Sequence, residues 1–191
     1  MSTDQNTSFT RLVSLACHDL RTPLATVSGF ARTIQRNEEL EEPVPRYLDI
    51  IVSASDQMRE LLETLSLVVR IEGGRYDPVR AEIDTLEAAR AAAETIEGAR
   101  ADGTGETIET DVETLKRSLA ALALCAHRHG GVAEVTLAVS GRGISISPIG
   151  EAAAVIVGND LKDLGAAVAV RSLRALGGSA EVDGDALRVK I

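Results

Sequence analysis

Aromatic side chains are nearly missing from this chain: two Tyr, two Phe and no Trp make up 2% of its 191 residues. That removes the stacking platforms on which single-stranded nucleic acids are usually held. It also means that any core must be aliphatic and rich in alanine. Basic charge is scarce as well, with 20 Lys and Arg against 29 Asp and Glu and a net charge of -9. A nucleic-acid backbone is a poor partner for such a surface, because binding it requires cations that neutralise phosphates. The two cysteines, Cys17 and Cys125, cannot build a disulfide framework, and a reducing compartment suits them. No run of about 18 apolar residues occurs, so no membrane span is expected. Met1 to Thr10 is polar and lacks the apolar centre of a signal peptide. The expected location is cytoplasmic, with no membrane partner and with any sensory input arriving from elsewhere.

What the chain does have is helical periodicity. From Phe9 to Asn37 the apolar positions are Phe9, Val13, Ala16, Leu20, Leu24, Val27, Ala31 and Ile34, with steps of three and four residues. That is a helix seam close to a heptad. An acidic loop from Glu38 to Glu42 precedes Pro43 and Pro45, and Pro45 suits a first helical turn. The pattern then repeats at Tyr47, Ile51, Ala54, Met58, Leu61, Leu65 and Val68, up to the helix-stopping Gly73 and Gly74. Two long amphipathic helices joined by a short loop make an antiparallel hairpin. Leu48, Leu62 and Val69 add apolar width that one hairpin leaves uncovered, and pairing two hairpins into a four-helix bundle covers it.

Beyond Tyr76 the character changes. A helix is expected over Asp84 to Arg100, a polar Gly-containing stretch over Ala101 to Gly105, and a short strand at Thr107 to Thr110. Val112 to His129 reads as a helix ended by Gly130 and Gly131. Val132 to Val139 and Gly143 to Ser147 read as a hairpin of strands. A helix over Leu161 to Leu176 and a last hairpin, Ser179 to Val182 with Ala186 to Ile191, complete the chain. The expected class is α+β, with a helical unit over 1–76 and a small α/β sandwich over 77–191.

The most informative residues are His18-Asp19-Leu20-Arg21-Thr22-Pro23-Leu24. With Ala16 and Leu20 on the seam, His18 lies about 200° around the helix from Ala16 and points to solvent. Pro23 breaks a local rule inside the same helix, removing a hydrogen bond and crowding the carbonyl of Asp19, at about 3 kcal/mol in a plain helix. An exposed histidine beside such a violation marks a functional site.

Here the sequence resembles the histidine kinase family. The seven residues match the phosphoacceptor box of its dimerisation and phosphotransfer domain. The second helix matches from Tyr47-Leu48-Asp49-Ile50-Ile51 through Arg70-Ile71-Glu72-Gly73-Gly74-Arg75. The resemblance implies a homodimer in which His18 carries the phosphoryl group and Asp19 holds the correct ring tautomer. Helical spacing alone would not bring those two together, because i and i+1 do not face each other. The resemblance also has Thr22, at i+4, position a water, while Arg21 contacts phosphoryl oxygens or is simply a solvated surface charge.

The likeness weakens in the second half. Leu122 to Gly130 aligns with a box whose magnesium-binding asparagine becomes Cys125, an earlier asparagine becoming Ala121. Ile146-Ser147-Pro148-Ile149-Gly150 places Pro148 where the adenine-reading aspartate belongs. Asp163 replaces the first glycine of a later box, and only Glu151 to Asp160 remain for a nucleotide lid. Phosphoryl transfer from ATP needs metal and positioned charge around the triphosphate. ATP is therefore not expected as a ligand. The combination resembles the dedicated histidine phosphotransferases of bacterial relays, which implies response-regulator receiver domains as partners. Those receivers would bring their own Mg2+. The alternatives are a docking pseudokinase and a divergent active kinase.

Cys125, His127 and His129 raise the question of a metal. Zinc usually takes three or four protein ligands. Two of these three share a helix face, and the sequence offers no further pair beside them. They read as a core cysteine and helix-end histidines, so no metal site is expected.

Overall fold

The computed structural model describes residues 2–36, 43–160 and 162–191, and the side chains of all of these except 2–12 and 14–16. The expected acidic loop, Glu38 to Glu42, lies outside the described residues. The chain divides into two compact units, Met1–Arg75 and Tyr76–Ile191. Its class is α+β, a helical hairpin followed by a small sheet unit.

The first unit is built from α1 (Ser2–Gln35) and α2 (Val44–Glu72). Proline opens α2, where a missing N–H costs nothing, and Gly73 ends it. The inward line differs from the expected seam. On α2 it is Leu48, Ser55, Leu62 and Val69, a strict seven-residue repeat, and on α1 it runs through Cys17 and Ala31. Most of the expected seam lies beside that line on open surface: Leu20, Val27, Ile34, Tyr47, Ile51, Met58 and Leu61 are all exposed. Leu20 therefore does not face the hairpin interior. The physical reason is that each helix carries two adjacent apolar stripes. One hairpin buries only the stripe with the smaller residues, among them Cys17, Ala31 and Ser55. Polar pairs fix the antiparallel register across it. Arg21 donates to Ser66 Oγ at 2.8 Å, Arg32 to both Asp56 carboxylate oxygens at 2.8 and 2.9 Å, and Gln35 to Asp49.

The second unit holds β1 (Arg80–Asp84), α3 (Thr85–Ala93), β2 (Ala99–Gly105), β3 (Thr107–Asp111) and α4 (Val112–His129). Then come β4 (Val135–Gly141), β5 (Gly143–Ser147), α5 (Ala153–Ile156), α6 (Leu164–Ala175), β6 (Ser179–Asp183) and β7 (Ala186–Lys190). β1 and β3 form an antiparallel ribbon, and five strands form a sheet in the order β2-β4-β5-β7-β6. Only β2 and β4 run parallel. Along β7, buried Leu187 and Val189 alternate with exposed Arg188 and Lys190, so one face of the sheet meets the core. Leu115, Leu119 and Leu122 of α4 pack into that core with Leu137, Ile144, Ile146 and Leu173.

Several elements differ from the sequence reading, which places neither β1 nor α5 and starts β4 at Val132 instead of Val135. The helix expected to Arg100 stops at Ala93, and the polar stretch Ala101 to Gly105 is part of strand β2. Main-chain pairing with β4 makes this strand, not apolar alternation. At Gly103, φ is +115° and a Cβ would stand 2.0 Å from the Val139 carbonyl, so only glycine fits. Alanines 88, 89, 92 and 93 of α3 are all buried, and their small side chains let the helix approach the sheet closely.

Candidate functional site

His18 sits in the middle of α1, and its side chain is 77% exposed. Its Nδ1 lies 3.2 Å from Asp19 Oδ1. Adjacent residues on a helix normally diverge, but here the two side chains turn toward each other along the surface. With Nδ1–H donating to the carboxylate, Nε2 keeps its lone pair and faces water. A neutral imidazole with one nitrogen occupied and the other open is the form that attacks an electrophile. Five residues on, Pro23 lies inside the continuous helix. Its missing N–H leaves the Asp19 carbonyl without its usual partner.

Thr22 stands one turn after His18 and is exposed. Its carbonyl accepts from Thr26 Oγ1 at 3.0 Å. Arg21 is engaged across the hairpin with Ser66, whose own hydroxyl donates to the Leu62 carbonyl at 2.7 Å. The structure thus joins His18 to Asp19 and ties Arg21 to α2. Ser66 is the residue that sequence reasoning missed here. It lies 45 positions away and carries no local signal.

In the second unit, Cys125 is fully buried on α4, and Ala121, one turn earlier, is partly buried. Burial, with the Asp163 carboxylate adding to it, pushes the Cys125 thiol up to about 12. Asp163 caps α6, accepting from Ala166 N at 2.9 Å through Oδ1. Its Oδ2 is 3.3 Å from His129 Nε2. Pro148 follows β5. At the next two residues, the amides of Ile149 and Gly150 donate to Asp185 Oδ1 at 3.1 and 2.7 Å. Between Glu151 and Asp160 the chain makes the end of a short 3-10 turn, whose Ala152 is buried, and α5, whose Val155 and Ile156 are buried in the core. The Asp163–His129 contact and the Asp185 hydrogen bonds arise only through the tertiary fold, and spacing gave no sign of either.

These residues can be set beside known proteins. Residues 10–74 match the His Kinase A (phospho-acceptor) domain. Over 65 residues the chain is 34% identical to the probable sensor histidine kinase TcrY of Mycobacterium tuberculosis, covering 34% of this chain and 14% of that one. Among solved structures, the full-length ShkA in complex with AMPPNP superposes with a TM-score of 0.67 at 18% identity, covering 94% of this chain and 44% of that chain. The Acinetobacter baumannii histidine kinase AdeS gives a TM-score of 0.59 at 20% identity, covering 91% of this chain and 96% of that one. The match therefore spans 14% of TcrY and 44% of ShkA, well under the full length of either. The hairpin is similar to a histidine kinase phospho-acceptor domain, and the sheet unit that follows it in sequence resembles the sheet unit of the histidine kinases ShkA and AdeS in fold. Over residues 10–74 the chain is similar to the phospho-acceptor domain of histidine kinases, and over most of its length it shares their fold.

Proposed function

We propose that this chain is a phosphohistidine carrier in a two-component relay, moving a phosphoryl group between receiver-domain aspartates without drawing it from ATP. The observation that carries the reading is His18, exposed, with Nδ1 held by Asp19 and Nε2 open to a partner. Nε2 attacks the phosphorus of a receiver's aspartyl phosphate in line. The N–P bond forms as the P–O bond breaks, and the carboxylate leaves with the electron pair. The reverse step returns the group. Proximity on a rigid helix supplies the catalysis, with the receiver contributing its own Mg2+.

The half of the reading that excludes ATP rests on the second unit. A buried, protonated thiol at Cys125 is a poor magnesium ligand, because hard cations take oxygen donors. The N-terminus of α6, where a phosphate would otherwise be welcome, already carries the Asp163 carboxylate. The stretch left for a lid is packed into the core through Val155 and Ile156. The residues present do not fit a magnesium triphosphate.

The partner side of the reading is a homodimer through the hairpin, with a second copy covering Leu20, Val27, Phe30, Ile51, Met58 and Leu61. No helix among the described residues is long and apolar enough to cross a membrane. In this reading the apolar stripe meets the second copy and the carrier works in the cytoplasm.

The experiment is transfer from a radiolabelled, phosphorylated receiver domain to the full chain, followed as acid-labile label. Wild type takes up label, His18→Ala takes up none, Asp19→Asn slows uptake, and Thr22→Ala mainly changes hydrolysis. Equal labelling of the His18→Ala variant would remove the proposal.

A further inference from the structure

Sequence spacing puts Cys125 and His129 one turn apart on α4 but offers no third ligand. The fold supplies one. Asp163, in the loop leading into α6, meets them, and a ligand atom from each of Cys125, His129 and Asp163 lies within 4.8 Å of the other two. We infer that these three residues form a binding site for a zinc-class divalent transition metal, with a fourth position left to water or an incoming ligand.

The donor set selects the ion. A thiolate, an imidazole and a carboxylate suit Zn2+ and its neighbours, whereas Mg2+ and Ca2+ require oxygen alone. Three protein ligands with an open position is the pattern of accessible zinc sites. Bond lengths of about 2.0–2.3 Å in a tetrahedron put ligand atoms roughly 3.3–3.8 Å apart. The His129–Asp163 pair is already at 3.3 Å. The ligand atoms all lie within 4.8 Å of one another, so forming the tetrahedron asks for closures of about 1–1.5 Å at most.

The surroundings also fit. The site is graded in depth, with Cys125 fully buried, Asp163 14% exposed and His129 31% exposed in their side chains, so an ion can enter from the His129 side. Asp163 is preorganised, because its other oxygen is fixed by the Ala166 amide. Such outer hydrogen bonds orient ligands and raise affinity. On binding, the Cys125 thiol releases its proton to solvent and the sulfur bonds the metal. His129 turns its Nε2 from the Asp163 carboxylate to the metal, with any proton on Nε2 passing to Nδ1 or to solvent. The cation removes what disfavours the thiolate, since it replaces burial beside a carboxylate with a bound positive charge. The ion would then join the end of α4 to the start of α6. This inference does not depend on the phosphotransfer reading.

The test uses the full chain stripped with chelator and titrated with Zn2+ and with Co2+ as a spectroscopic stand-in. One ion per chain is expected. The cobalt form should show a thiolate charge-transfer band in the near ultraviolet and the visible bands of a four-coordinate ion. Zn2+ should raise the melting temperature of the second unit. Cys125→Ala should abolish the charge-transfer band. His129→Ala, on a more exposed position that folding tolerates, should weaken binding by about 100-fold or more. Asp163→Asn keeps the helix cap and should weaken binding while leaving the metal-free melt unchanged. Absence of stoichiometric cobalt binding at micromolar protein overturns the inference. So does a band that survives Cys125→Ala, or affinity that falls with His127→Ala instead of His129→Ala.

Discussion

The two units handle apolar surface in opposite ways. In the second, α4 and the sheet close a core in which Leu115, Leu119, Leu122, Leu137 and Ile146 have no exposure at all. In the hairpin, the strict repeat Leu48-Ser55-Leu62-Val69 is buried, while Phe30 is 66% exposed and Tyr47 and Ile50 are each 58% exposed. Exposed apolar area on this scale marks an association surface. The comparison teaches where each unit keeps its function. The hairpin keeps an exposed histidine, His18, and in the proposed reading a second copy covers its outer apolar stripe. The sheet unit buries its own core, and in the proposed reading Cys125, Pro148 and Asp163 stand where a magnesium triphosphate would need other groups.

Breaking each unit separately should separate their responses. The largest effect is expected for Leu119→Ala, which empties a fully buried site and should cost roughly 2–5 kcal/mol. Chemical denaturation should show that loss in the second unit at every protein concentration, while the hairpin stays helical. Leu61→Glu, on the outer stripe, should instead turn dimer into monomer in light scattering and leave the second unit's melt unchanged. A wild-type monomer at micromolar concentration would contradict the assignment of that stripe.

Smaller effects sharpen the picture. Asp111 caps α4 through the Thr114 amide at 3.0 Å and accepts from Tyr76 Oη at 2.9 Å. Burial alone would raise its pKa, but these hydrogen bonds outweigh burial and hold the carboxyl below its ordinary value. A depressed folded-state pKa contributes stability that is present above the unfolded value, about 3.9. That contribution disappears as pH falls through the folded value. Asp111→Ala should therefore cost about 1 kcal/mol at neutral pH. The difference from wild type should shrink on acidification below about pH 4, as urea melts at a series of pH values would show. Smallest of all is Arg32→Ala. It removes a half-exposed ion pair to Asp56 and should change hairpin stability by about 1 kcal/mol or less.

Much of this was legible because it is local. The hairpin, its proline entry, α4 with its glycine stop, and the β6–β7 hairpin all follow from periodicity and turn residues in adjacent stretches. The stripe that turns inward was not legible, because both stripes on each helix are apolar and only packing against the partner helix distinguishes them. β2 was missed because its sequence, Ala-Arg-Ala-Asp-Gly-Thr-Gly, has no strand character. It becomes a strand only because β4 offers a parallel edge and Gly103 tolerates the approach. At the candidate site the exposure of His18 was expected from a seam through Leu20. The structure instead puts Leu20 on open surface and the inward line through Cys17, so His18 is exposed for a different reason than the periodicity offered. The Arg21–Ser66 bond and the meeting of Asp163 with His129 join residues 45 and 34 positions apart, beyond the reach of any local pattern.

The measurement that bears most directly on the central claim compares two phosphoryl sources on the same preparation of wild-type protein. One sample receives Mg-ATP labelled on the terminal phosphate. The other receives a labelled, phosphorylated receiver domain freed of nucleotide. The account predicts acid-labile label on His18 from the receiver alone, and return of that label to a second receiver. Label on His18 from Mg-ATP, or none from any receiver, would contradict it.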